Sequence, residues 1–199
     1  MSSFLDEPVR GFLDRLAART PTPGGGGAAA VTGAMAAGLV AMAARFSATR
    51  LPGAGELADE ADELRRRLAQ LADLDTRAYA AVLEALRLPE GTSQREVQRQ
   101  EALLGAALVP LEIAGIGARV AAMAVRVAEA GNPNLRGDAV TGAVLAAASA
   151  RSAASLVDIN VRLGGLDPGL SRRAAQAAAD AGDAADQVTM STEQAAQER

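Results

Sequence analysis

The 199-residue sequence predicts an all-α fold, an up-and-down bundle of about five or six helices. Hydrophobic residues make up 49% of the chain but aromatic residues only 2%, so Ala, Leu and Val must build the core. Small side chains let helices pack closely, whereas strands favour the β-branched and aromatic residues that are scarce here. No repeat or strand pattern interrupts the helical spacing, and we expect a single domain over residues 1–199.

Short breaks rich in Gly and Pro separate the helical segments. Thr92 or Ser93 is expected to cap the fourth segment, with Glu96 completing a capping box on Ser93. Pro110 should kink that segment, and Asn132 should cap the fifth. We expect helices at about 4–18, 27–47, 56–86, 93–130, 133–163 and from 168 to a polar, frayed tail that starts at about 189.

The second segment carries no charge between residues 27 and 44. Its pattern predicts a helix buried inside a bundle and not a membrane span, and its alanine face is a candidate dimer surface. The larger apolar residues form one stripe opposite that face of alanines: Val31, Met35, Leu39, Met42 and Phe46 against Ala30, Ala34, Ala37 and Ala41.

The charged and reactive residue types in the sequence argue against several classes of function. A formal net charge of -4 argues against a nucleic-acid or anionic-membrane partner. The chain has no Cys, His or Lys, which removes thiol nucleophiles and the commonest metal ligand, so we expect no metal site. Acid–base chemistry must then come from carboxylates, Arg or Tyr. No signal-peptide pattern is present, so we expect a cytoplasmic protein.

The residues from Thr20 to Gly27 are Thr-Pro-Thr-Pro followed by four glycines, just before the second helix. The prolines hold the chain extended, and the glycines leave backbone N–H groups bare at a helix N-terminus, where anions bind well. No Gly-Lys-Ser/Thr sequence follows, so the block is not a nucleotide P-loop. It is either an anion site or a tight turn into a buried helix.

Asp75 is the strongest candidate for catalysis. On a helical wheel it lies in the middle of the apolar face of the third segment, between Leu71 and Val82. A carboxylate aimed at apolar surroundings tends toward a raised pKa, as a general acid–base group requires. The alternative is a structural carboxylate that caps a helix or pairs with an arginine. Tyr79, one turn away, is most simply a core residue.

The fifth segment places polar residues on one face. They are either an interhelical hydrogen-bond network or the lining of a pocket. These residues are Asp138, Ser149, Ser152 and Asn160.

Together these motifs resemble the cyclodeaminase/cyclohydrolase family, the C-terminal domain of formiminotransferase-cyclodeaminase, whose free-standing members include methenyltetrahydrofolate cyclohydrolases. The resemblance covers about residues 4–166. It rests on the block from Thr20 to Gly27, Asp75 to Tyr79, Val109-Pro110, Asn134 to Ala139, and Ile159-Asn160.

The resemblance implies a dimeric all-α fold with a folate site near the helices or the dimer interface, and no cofactor beyond the tetrahydrofolate substrate. It places the acid–base aspartate on Asp75. The residues that it implies for substrate binding are Pro23, Gly24, Gly25, Gly26, Gly27, Ser47, Arg50, Tyr79, Asn134, Asp138 and Asn160.

The sequence departs from the family pattern at two places. Gly137 stands where the family has a serine, and Ser47-Ala-Thr-Arg50 replaces a segment that usually carries lysines. Arg50 keeps the positive charge but cannot readily shuttle a proton. The family implies that Asp75 activates water to open methenyltetrahydrofolate toward 10-formyltetrahydrofolate, with folate carboxylates held by the glycine amides and Arg50. Cyclodeamination of 5-formimidoyltetrahydrofolate and a non-catalytic binding dimer are the alternatives.

Overall fold

A computed structural model describes residue 3 and residues 6–197. Within these residues all regular structure is helical, which confirms the all-α prediction. The expected first-helix residue Phe4 lies outside the described residues. The helices are α1 (Val9–Ala17), α2 (Gly25–Arg45), α3 (Ala54–Leu86), α4 (Ser93–Ala130), α5 (Arg136–Gly164) and α6 (Pro168–Gln197), with a 3-10 turn at Pro133–Leu135 before α5.

Side-chain caps set two of the helix starts. The hydroxyl of Thr92 accepts a hydrogen bond from the backbone N–H of Arg95 at 3.3 Å, so Thr92 is the cap of α4. The capping box expected on Ser93 is therefore wrong, because Ser93 is already the first helical residue. The side chain of Asn132 caps the 3-10 turn through the N–H of Asn134. At the other end of the chain, α6 continues past residue 189.

The core lies where α2, α3, α4 and α5 meet, and α6 packs against α4 and α5. The helices approach closely because most core residues are alanines. Between α4 and α5 the approach requires glycine: a Cβ added to Gly117 would lie 3.0 Å from the carbonyl oxygen of Ala146. The bundle thus uses small side chains to bring backbones together, as its composition predicted.

The two faces of α2 are placed opposite to expectation. The alanine face packs inside the chain, with Ala30 and Ala37 fully buried. The stripe of larger residues looks outward instead, with Met35 53% exposed and Phe46 65% exposed. Expecting the alanine face to form a dimer surface was therefore wrong, because it forms the core of the monomer. We call this outer apolar stripe of α2, together with the neighbouring exposed residues of α5, the α2–α5 surface.

Three helical segments are long and apolar enough to cross a membrane, judged by length and composition alone. They are Gly25–Arg45, Ser93–Ala130 and Pro133–Gly164. Between 44% and 56% of the most apolar window in each is buried inside the bundle. Packing within the chain therefore buries about half of each window.

Candidate functional site

Asp75 caps the N-terminus of α2 from the neighbouring helix. The first N–H groups of any α-helix lack partners within the helix, and the N-cap residue of α2, Gly24, has no side chain to supply one. The carboxylate of Asp75, on α3, accepts a hydrogen bond from the N–H of Gly27 at 3.1 Å. The helix-capping role that the sequence left open for Asp75 is therefore present, and at the glycine block a backbone N–H binds a carboxylate of the chain itself.

The absence of a side chain at Gly26 makes this contact possible. A Cβ at Gly26 would lie 2.0 Å from Oδ1 of Asp75, far inside the contact distance of any two heavy atoms. At Gly27 an added Cβ would meet the buried ring of Pro23 at 3.6 Å, an ordinary van der Waals contact, so this position does not require glycine in the same way. Gly26 therefore allows α3 to bring its carboxylate against the start of α2.

Asp75 lines a cavity of about 440 Å³. Its polar side chains include Asp75, Tyr79 and Asn160, and much of the remaining wall is aliphatic. Tyr79, expected in the core, is 43% exposed at this cavity. The apolar wall combines residues of α3, α4 and α5: Val82, Leu83, Leu86, Leu103, Ala106, Leu156, Ile159 and Leu163.

Burial among these side chains raises the pKa of Asp75 above the ordinary range of an aspartate, because the charged form loses hydration. The hydrogen bond from Gly27 acts in the opposite direction, since it stabilises the carboxylate, but burial is the larger effect. A carboxyl group with a raised pKa exchanges protons more readily near neutral pH, which suits a general acid–base role.

A smaller pocket of about 330 Å³ adjoins the cavity on the α2–α5 surface, and the two share Gly25 and Leu156. The polar residues expected on one face of α5 have different roles beside this pocket. Ser149 donates a hydrogen bond to the carbonyl of Ala29 at 2.7 Å, an interhelical bond, while Ser152 lines the pocket. Both expected roles of that face, a hydrogen-bond network and a pocket lining, therefore occur in different places.

Four expected binding residues lie at the opposite end of α2. Ser47 and Arg50 follow α2, and Asn134 and Asp138 lie at the start of α5. The 21 residues of α2 span about 30 Å, so one chain does not bring this group to Asp75.

Ser47 has a structural partner at this end of the bundle. Its buried hydroxyl donates to the carbonyl of Ala43 at 2.7 Å and accepts the N–H of Asn132 at 2.8 Å. The residue thus joins the end of α2 to the turn before α5.

Arg99 is a positive group near the cavity that the sequence patterns do not single out. Its guanidinium donates to the carbonyl of Leu163 at 2.8 Å and pairs with Glu96 at 3.1 Å. Because Leu163 lines the cavity and is 59% exposed, Arg99 lies beside the cavity mouth. Only the antiparallel packing of α4 against α5 reveals this position, since residues 99 and 163 are distant in sequence.

The described residues contain no group of three or more Asp, Glu, His or Cys side chains placed to hold a metal ion. The described residues form an all-helical bundle with a partly apolar cavity, and the half-buried carboxylate of Asp75 lies in the cavity wall. Residues 8–192 match the family model of formiminotransferase-cyclodeaminase. The chain belongs to this family.

Named relatives agree with that family. The chain is 39% identical to a methenyltetrahydrofolate cyclohydrolase of Methylorubrum extorquens, over 81% of this chain and 82% of the relative. A formimidoyltransferase-cyclodeaminase of Mus musculus is 36% identical over 56% of this chain, which matches only 23% of that longer protein. The crystal structure of a formiminotetrahydrofolate cyclodeaminase from Thermotoga maritima superimposes with a TM-score of 0.83 at 28% identity, covering 92% of this chain and 94% of that one.

We expect Gly26→Ala to displace the Asp75 carboxylate, since the new methyl group would occupy its position. Overpacking of this kind costs about 1–3 kcal/mol in the free energy of unfolding, measurable by chemical denaturation. Gly115→Ala is the matched control, because nothing lies within 4 Å of its added Cβ. Equal unfolding free energies for the two variants would contradict the close contact.

The raised pKa of Asp75 also predicts a pH-dependent stability difference. The folded state disfavours the charged carboxylate, so this group destabilises the protein as pH rises through its folded pKa and has no such effect in acid. Asp75→Asn keeps an acceptor for the Gly27 N–H without the charge. It should therefore be more stable than the parent at neutral pH, and the difference in unfolding free energy should vanish toward pH 3. The exposed Asp59→Asn serves as control, and a difference that grows in acid would contradict the assignment.

Proposed function

We propose that this protein hydrolyses 5,10-methenyltetrahydrofolate to 10-formyltetrahydrofolate, with Asp75 as the acid–base group. The observation that carries the proposal is the half-buried carboxylate of Asp75, held against α2 in a cavity with aliphatic walls. Aliphatic walls suit the flat rings of a folate, and a carboxylate attracts the cationic ring that the reaction opens. The identity of 39% to a methenyltetrahydrofolate cyclohydrolase supports this substrate.

In the proposed reaction the ionised Asp75 takes a proton from water as its oxygen attacks the carbon between the two ring nitrogens. The carboxyl then gives that proton to one ring nitrogen as its bond to this carbon breaks. The formyl group stays on the other nitrogen. One water is consumed, and one proton leaves to solvent. The hydrogen bond from Gly27 keeps the carboxylate oriented through both transfers.

Cyclodeamination of 5-formimidoyltetrahydrofolate is the second candidate, favoured by the structural match to a cyclodeaminase. It needs the same cavity and the same group, since Asp75 would protonate the departing ammonia. The two activities differ in their products. Cyclodeamination generates methenyltetrahydrofolate and ammonia, whereas cyclohydrolysis consumes methenyltetrahydrofolate.

We further propose that the protein acts as a dimer joined through the α2–α5 surface. Two copies of α2 can pair along their exposed stripes about a two-fold symmetry axis. When that axis is perpendicular to the helices and passes through the middle of the pair, the two helices run antiparallel. The end of α2 in one subunit then meets the beginning of α2 in the other. This arrangement brings Arg50 of the partner subunit toward Gly25 and the small pocket, and so toward the cavity.

A shared site explains why the expected binding residues form two groups within one chain. Asp75, Tyr79 and Asn160 surround the cavity of one subunit, while Arg50 of the partner subunit supplies a positive charge for folate carboxylates. The small pocket shares Gly25 and Leu156 with the cavity. Residues of the partner subunit that cover the small pocket would therefore also reach the substrate. The cytoplasm, where one-carbon folates are used, is the proposed location.

Loss of the methenyltetrahydrofolate absorbance band tests the reaction directly. We expect decay well above the buffer rate for the parent, and a decrease of about 100-fold or more for Asp75→Asn, the usual contribution of an acid–base group. Asp59→Asn is the control and should retain parental decay. Parental turnover in Asp75→Asn would disprove its role. Appearance of the same band from 5-formimidoyltetrahydrofolate, without its loss from methenyltetrahydrofolate, would favour the cyclodeaminase.

Mixed dimers test the shared site. Arg50→Gln should raise the KM by about 10-fold or more, since it removes a charge-assisted contact. Alone, Arg50→Gln assayed below its KM should retain about a tenth of the parental activity or less, and Asp75→Asn about a hundredth or less. After equal mixing and subunit exchange, half the dimers are hybrids with one intact site, so activity should return to about a quarter of the parental value. Activity equal to the average of the two separate variants would contradict a shared site.

A further inference from the structure

Pro110 lies inside α4, where a proline removes a backbone hydrogen bond. Because Pro110 has no N–H, the carbonyl oxygen of Ala106, four residues earlier, loses its usual helical partner. Both residues are buried, so water does not readily replace the missing donor. An unpaired buried carbonyl is unfavourable, and a side chain is expected to fill the vacancy.

Asn160 of α5 supplies the missing hydrogen-bond donor. Its Nδ2 donates a hydrogen bond to the carbonyl oxygen of Ala106 at 2.8 Å. The carbonyl can only accept, so the NH2 end of the Asn160 amide must face it, and the oxygen end is fixed in turn. Asn160 and Ala106 both line the cavity that contains Asp75. Within residue 3 and residues 6–197, no group donates a hydrogen bond to Oδ1 of Asn160.

We propose that Pro110 is a positioning residue that orients the Asn160 amide, so that Oδ1 of Asn160 accepts an N–H of the bound substrate. Pro110 itself does not line the cavity and acts only through the carbonyl that it leaves free. The substrate half of this inference rests on the proposed function, because the pterin ring of a folate carries several N–H donors. A site built to accept such a hydrogen bond discriminates strongly against a ligand that lacks the donor.

The charge at Asp75 and the acceptor at Asn160 then have separate tasks. Asp75 faces the reacting carbon and exchanges protons, whereas Asn160 holds a part of the ring that does not react. Uniform binding of this kind affects KM more than kcat. Rotating the Asn160 amide would place its NH2 group where the substrate also has a donor. Substrate binding therefore depends on the orientation of the amide as well as on the asparagine itself.

A double-mutant cycle in chemical denaturation tests the orientation without any folate. Asn160→Asp places an oxygen with no hydrogen against the Ala106 carbonyl, and we expect the folding equilibrium constant to fall by about 10-fold or more. In Pro110→Ala, residue 110 regains an N–H that bonds Ala106, so the same Asn160→Asp change should lower the constant much less, by only the cost of placing a carboxylate in the cavity wall. The cycle cancels the separate effects of helix propensity and lost ring volume. Equal losses in both backgrounds would overturn the proposal.

Steady-state kinetics with methenyltetrahydrofolate test the substrate contact. Pro110→Ala should raise KM by about 10-fold with little change in kcat, because the freed amide can turn its donor to the substrate. Asn160→Leu should also raise KM, and adding Pro110→Ala to it should change KM no further. Pro168→Ala is the control, since Pro168 is the first residue of α6 and frees no helical carbonyl. A further rise in KM when Pro110→Ala is combined with Asn160→Leu would overturn the proposal.

The two experiments separate this inference from the proposed function. If no variant, including the parent, consumes methenyltetrahydrofolate, the proposed function fails while the denaturation cycle still decides whether Pro110 orients Asn160. If turnover is present but the cycle shows no coupling, the proposed function stands and the positioning role is overturned.

Discussion

The contact between the Asp75 carboxylate and the start of α2 determines much of this structure. It satisfies an N–H that α2 leaves unpaired, it joins α3 to α2, and it sets the proposed acid–base group in the cavity wall. The contact requires a glycine at position 26, because any side chain there would occupy the carboxylate's position. One hydrogen bond therefore links helix capping, helix packing and the proposed chemistry.

Both polar groups with a proposed role in the cavity are oriented by helix backbone. Asp75 accepts an N–H that is free because a helix begins, and Asn160 donates to a carbonyl that is free because Pro110 interrupts the helical bonding. Backbone groups of packed helices move little, so they hold these side chains in place without further polar side chains. The surrounding wall can then stay aliphatic, which raises the pKa of Asp75 and suits flat aromatic ligands.

Local chemistry made most of the fold predictable, and long-range packing limited the rest. Helix positions followed from Gly and Pro breaks, and the wheel placed Asp75 correctly at an apolar face because α3 is amphipathic. The faces of α2 were assigned wrongly, because both are apolar and the sequence does not say which one faces the chain's own core. The distance between Arg50 and Asp75 was equally hidden, since order along the chain does not reveal that α2 separates them.

The most direct test of this account is the titration of Asp75 itself, followed by 13C NMR of carboxyl-labelled aspartate and assigned with the Asp75→Asn spectrum. We expect a midpoint above the ordinary range of aspartate, because burial outweighs the hydrogen bond from Gly27. Turnover should rise with pH through the same midpoint, since the ionised form activates water. An ordinary or lowered midpoint, or turnover that ignores it, would contradict the assignment of Asp75 as the acid–base group.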